Sequence, residues 1–183
     1  MDQATISLAV TVTLALAGYI ATYLNNLRLE QRRAKLERVN RQLKELYGSL
    51  LSLVSALNAA WKGFRSIYRP TGKDFFDDNP PPTQTDLDAW CLWMKEVFMP
   101  YNEAMAQLVV DHADLLEESE VPQCLLDLCA HVAAYRPVIK AWENGNYSSY
   151  YSVNEFPADD LTFYARERFN QLKRRQAKLL GHF

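Results

Sequence analysis

The chain has 183 residues, 49% of them hydrophobic, which suffices for one buried core and falls short of the size that forces a split into several. Its 20 basic and 22 acidic side chains leave a net charge of −2, so the bulk basicity of a nucleic-acid binder is absent and no nucleic-acid partner is expected. The three cysteines, Cys91, Cys124 and Cys129, are an odd number without the regular spacing of a disulfide framework, and they read as reduced, buried thiols.

The first element is an uncharged run over residues 4–24, long enough as a helix to cross about 30 Å of hydrocarbon. Only Asp2 precedes it, whereas Arg28, Arg32, Arg33 and Lys35 follow. The positive-inside rule then leaves the N-terminus outside and the remainder in the cytosol, and Tyr19 and Tyr23 suit the inner headgroup boundary. A cleaved signal peptide would need a positive n-region that is absent, and a buried core helix would have to place an uncharged run at the terminus. The expected organisation is a transmembrane anchor over residues 1–26 and a cytosolic helical domain over residues 27–183. Along the anchor Ser7, Thr11, Ala15, Gly18 and Thr22 form one stripe of small residues, the kind of face on which a second membrane helix packs closely. Arg28, Arg32, Arg33 and Lys35 are placed to meet anionic headgroups.

Leu29, Leu36, Leu43, Leu50 and Leu57 recur every seven residues, with Val39, Leu46, Leu53 and Ala60 three further on, which is the a/d seam of a coiled coil or bundle. With no proline before Pro70, the first helix should extend to about Tyr68, and Tyr47, Val54 and Trp61 widen its stripe toward a bundle core. Residues 69–84 form a proline-rich loop. A second helix begins after Thr85 or Asp86, is kinked or divided at Pro100, and resumes through Met105 and Leu115. Pro122 opens a third helix that bends before Pro137 and stops at Gly145. After a loop over residues 146–156, Pro157 with Asp159 and Asp160 starts a fourth. The fold class is therefore all-α: a transmembrane helix continuing into a cytosolic, antiparallel four-helix-bundle-like domain. In that order Asp111, Asp114, Glu117 and Glu118 stand at the height of Arg38, Arg41 and Lys44 and can neutralise them.

Motifs of catalysis are missing. There is no G-x-S-x-G, no phosphate-binding glycine loop and no H-E-x-x-H, and Cys124, Cys129 and His131, like His112 with Asp111 and Asp114, do not share the spacing of a metal site. No catalytic residue, metal or cofactor is expected. The reading that remains is a non-enzymatic, single-pass interaction or scaffold module whose partners are membrane lipids and a protein or a second copy of the chain. The alternatives are a membrane-tethered lipid or ligand sensor and an enzyme without a linear motif. Both long loops fall at the end of the bundle far from the bilayer, so Phe75, Phe76, Tyr147, Tyr150 and Tyr151 form the expected partner-binding tip, unless the rings fold back beside Trp61, Trp90 and Trp142.

Overall fold

A computed structural model of the chain describes residues 2–70, 74–76 and 80–181, and within the first helix the side chains of residues 4–7, 9 and 10 stand outside the description. All regular elements among the described residues are helical, in four continuous runs. The first run is α1 (Gln3–Arg41), a π turn (Gln42–Tyr47) and α2 (Gly48–Tyr68). The second is α3 (Gln84–Trp93), a second π turn (Met94–Phe98) and α4 (Met99–Asp111), closed by the 3-10 turn Ala113–Leu115. The third and fourth are α5 (Gln123–Glu143) and α6 (Ala158–Leu180). They make up two compact units, Met1–Asn40 with Arg175–Phe183 and Arg41–Arg174.

In the smaller unit, every described side chain of α1 from Thr11 to Lys35 is exposed, Leu29 at the start of the heptad seam included. Among the described residues no helix is long and apolar enough to cross a membrane, so the expected transmembrane span finds no support there. Thr11, Thr13, Gly18, Tyr19, Thr22 and Tyr23 dilute the apolar content of the described part, and the more apolar start falls mostly on side chains outside the description.

In the larger unit the seam closes. Leu43, Leu46, Leu50, Val54, Leu57 and Phe64 are buried on one side, with Trp90, Met94, Phe98, Met105 and Val109 from the second run, Leu125, Leu128 and Val132 from the third and Leu161, Ala165 and Leu172 from the fourth. Contacts run in opposite senses along α2 and α6: the Phe169 ring lies over Gly48, while Asn58 Nδ2 donates to Thr162 Oγ1 at 3.0 Å. Gln42, also buried, donates from Nε2 to Leu115 O at 2.8 Å, which satisfies a carbonyl at the end of the 3-10 turn. Arg69 ties the two ends of the proline-rich loop together through Pro80 O at 2.8 Å.

Three local details differ from expectation. Thr83, rather than Thr85 or Asp86, caps α3, in a reciprocal box in which Thr83 Oγ1 accepts from Asp86 N and Asp86 Oδ2 accepts from Thr83 N at 2.9 Å. Of the acids expected to face Arg38, Arg41 and Lys44, Asp114 meets Arg41 at 3.9 Å, but Glu117 and Glu118 pair with Arg168 of α6. The cysteines are half-buried rather than buried.

The two π turns explain how each run keeps its apolar side inward. Trp90, Met94 and Phe98 are four apart, a spacing that drifts off one face of a 3.6-residue helix, and the wider turn over Met94–Phe98 takes up the drift just before Pro100, which has no N–H to offer the ladder. In the first π turn the tight point is Gly48: a Cβ placed there would run into the Leu43 carbonyl oxygen. Gly48→Ala is therefore expected to lower the unfolding free energy by about 1–3 kcal/mol in denaturant titration, as overpacking does. A gain of the size usual for Gly→Ala in an ordinary helix would mean that the turn can revert to α geometry at no cost.

Candidate functional site: a surface loop held by buried donors

The loop between α5 and α6 is held by hydrogen bonds from buried side chains of the larger unit. Gly145, with φ of 75°, ends α5 in the left-handed conformation and lets Asn146 N reach back to Ala141 O at 2.9 Å. The chain then returns over α5 and α3, and four buried side chains meet its carbonyls. Trp142 Nε1 donates to Ser149 O at 2.7 Å, Trp90 Nε1 and Tyr135 Oη both donate to Tyr150 O at 2.7 Å, and His131 Nδ1 donates to Asn154 O at 2.8 Å. Both lone pairs of the Tyr150 carbonyl are thus taken. His131, Tyr135 and Trp142, four and seven residues apart on α5, share one face of it. Ser149 Oγ to Tyr151 O at 2.9 Å and Ser152 Oγ to Asn154 O at 2.6 Å stiffen the loop from within.

Beneath it lies an aromatic cluster centred on Phe64, which has no exposed surface and is ringed by Trp61, Tyr68, Phe75, Trp90, Trp93 and Phe98 at centroid separations of 4.9 to 6.0 Å. Phe75 stacks on Trp90 at 5.1 Å and is buried; Phe76 is half-buried, edge-on to Trp90 at 5.2 Å and to Tyr151 at 5.4 Å. Tyr150 is half-buried, between Trp142 and Tyr147. The aromatic residues of the two loops do come together, through Phe76 and Tyr151. What faces outward is narrower: Tyr147, Tyr151, which is 63% exposed, and Val153, which is 94% exposed.

Chemistry at these positions is subdued. Burial pushes the thiols of Cys91, Cys124 and Cys129 up, away from the thiolate form that a nucleophile needs. Burial also raises the phenols of Tyr135 and Tyr164; the latter shares a polar cluster with Tyr47, Glu118 and Arg168, in which Tyr164 Oη lies 3.2 Å from Glu118 Oε2. Among the described residues, no group of three or more His, Cys, Asp or Glu is placed to hold a metal ion. A shallow cavity of about 270 Å³ between α4 and α5 is lined by Lys95, Glu96 and two ion pairs, Arg136 with Glu103 at 3.3 Å and Lys140 with Glu143 at 3.0 Å.

The other positions singled out from sequence lie on α1. Thr11, Ala15, Gly18 and Thr22 are exposed; Thr22 Oγ1 donates to Gly18 O at 2.9 Å, and a Cβ at Gly18 would meet nothing within 4 Å. The side chain of Ser7 lies outside the described residues. Arg28, Arg33 and Lys35 are exposed, while Arg32 Nε donates to Leu179 O of α6 at 2.7 Å. Sequence reasoning missed the loop-holding donors, although their signal was present: Tyr135 and Trp142 carry one polar atom each on an apolar face and must find it a partner.

Two predictions follow from this geometry. Phe75→Ala should cost about 3–5 kcal/mol in unfolding free energy, whereas Tyr147→Ala with Tyr151→Ala should stay within about 1 kcal/mol in the same titration. His131 is 5% exposed, and burial holds its imidazole below the usual range, with Nδ1 donating and Nε2 without a hydrogen-bond partner among the described residues. The unfolded chain then binds more protons, so this contribution to stability is complete above the ordinary histidine value of 6.5 and is lost as pH falls from there through the lowered folded value. His131→Asn should flatten the slope of unfolding free energy against pH in that window; an unchanged slope would assign the titration to another group. No family model, curated protein or solved structure matches the chain, so the reading of its function rests on its own residues.

Proposed function

We propose that the chain is a non-enzymatic interaction module anchored in a membrane by α1, with the unit Arg41–Arg174 on the cytosolic side and the held loop presenting Tyr147, Tyr151 and Val153 to a protein partner. The observation that carries the reading is the exposure of α1. Leu8, Val12, Leu14, Leu16, Tyr19, Ile20, Tyr23, Leu24, Leu27 and Leu29 are 40–71% exposed. They are distributed around the helix: Leu14 and Leu16 are about 200° apart, and Tyr19 and Ile20 about 100°. One flat partner would cover only one side of a helix whose apolar residues are spread in this way. Fully burying each such side chain is worth about 1.5–3 kcal/mol. Lipid covers all sides at once. Uncharged sequence from residue 4 to residue 24, followed by Arg28, Arg32, Arg33 and Lys35, supports an anchor with its C-terminal side in the cytosol.

Full-length protein in its native membrane should resist alkaline carbonate extraction, and a reporter fused after Phe183 should be accessible from the cytosol. Leu14→Arg with Ala17→Arg should release it, since each charge at the centre of a span costs about 2.5–3.5 kcal/mol on insertion scales. Wild-type protein that is washed off by carbonate, or a C-terminus labelled only from outside, would sink the proposal. Retention of the double-arginine variant in a soluble oligomer would show that copies of the chain, rather than lipid, cover α1.

A further inference from the structure

We infer that the last turn of α6 joins the basic stretch of α1 in a single site for anionic lipid headgroups, a step that rests on the membrane reading above. Two contacts inside the smaller unit bring these segments together. Arg32 Nε donates to Leu179 O at 2.7 Å, and Gln176 Nε2 donates to Asn40 Oδ1 at 2.7 Å. Gly181, with φ of 81°, ends the helix there, and its N–H returns to Lys178 O at 3.2 Å. Arg32 thus serves as a strut: its charge sits at the negative end of the α6 dipole, on a carbonyl that the helix leaves without an internal partner. Lys178 is thereby placed at the height of Arg32 and Arg33.

The charge of this junction is one-sided. Residues 27–40 and 175–181 hold Arg28, Arg32, Arg33, Lys35, Arg38, Arg175 and Lys178 against Glu30 and Glu37. Arg28, Arg33, Lys35 and Lys178 are exposed and form no ion pair among the described residues. The position of the site selects its ligand. If the apolar stretch ends at Leu24, a rise of about 1.5 Å per residue puts Arg28 about 6 Å and Arg33 about 14 Å beyond it. A headgroup layer about 5–7 Å deep plus a screening length of about 8 Å reaches that far, and leaves Arg38, at about 21 Å, outside. Phosphatidylserine-type headgroups on the same face are therefore the anions nearest to Arg28, Arg32, Arg33 and Lys178. Lys178 and Arg33 belong to one site although 145 positions separate them in the chain.

The test uses full-length protein reconstituted into phosphatidylcholine bilayers containing a trace of spin-labelled phosphatidylserine or spin-labelled phosphatidylcholine, with the motionally restricted fraction of each label as the readout. Phosphatidylserine should be preferred several-fold, and the preference should fall as salt rises. Arg33→Glu and Lys178→Glu should each bring it close to parity, since one basic residue at a membrane surface is worth about fivefold. Glu30→Lys should increase it. Equal restriction of the two labels by wild-type protein would overturn the site while leaving the anchor intact; failure to float with the bilayers at all would overturn both. A preference lost in Arg33→Glu but untouched in Lys178→Glu would refute the joint site, as would protein that is retained on duplex nucleic acid and indifferent to phosphatidylserine.

Discussion

A buried indole or phenol brings one polar atom into the interior, and that atom must be paired. In the unit Arg41–Arg174 this requirement organises the surface as well as the core. Trp90, Tyr135 and Trp142 are rings of the packed interior whose only hydrogen-bonding atoms point at the carbonyls of Ser149 and Tyr150. The loop supplies acceptors that the helices cannot spare, because helical carbonyls are already engaged along the ladder. In return the loop is fixed by contacts that water reaches poorly, where a hydrogen bond is hard to exchange for solvent. Core packing and loop conformation are thus one problem in this chain, and His131 extends the same arrangement to Asn154.

The smaller unit obeys the opposite logic. Its long helix keeps few of its apolar residues covered and meets the end of α6 through Arg32 and Asn40.

Much of the helical layout is legible in the residues. Tyr68 before a proline-rich loop, Pro122, Gly145 and Pro157 mark ends by local stereochemistry, which acts through one or two residues and can be read from them. The π turns are harder because an inserted residue changes phase without changing composition; the trace they leave is the four-residue spacing of Trp90, Met94 and Phe98. The partners of Glu117 and Glu118 were not legible, since Arg41 and Arg168 are both within reach of that corner in principle and only the packing of α6 decides between them. At the tip, the residue types were legible and their division was not: Phe75 turns inward onto Trp90 and Tyr151 outward, although both are aromatic residues in loops of similar composition. The apolar start of α1 is legible as an uncharged run that its alanines and threonines make only moderately hydrophobic.

The aromatic cluster has an optical consequence. All four tryptophans, Trp61, Trp90, Trp93 and Trp142, belong to the unit Arg41–Arg174, and three of them lie in or against the Phe64 cluster. Tryptophan emission and the near-ultraviolet dichroism of these close, tilted rings therefore report on that unit alone, while Tyr19 and Tyr23 are the chromophores of the smaller one. The chain thus carries, without labelling, a tryptophan signal for its folded interior to which the exposed helix does not contribute.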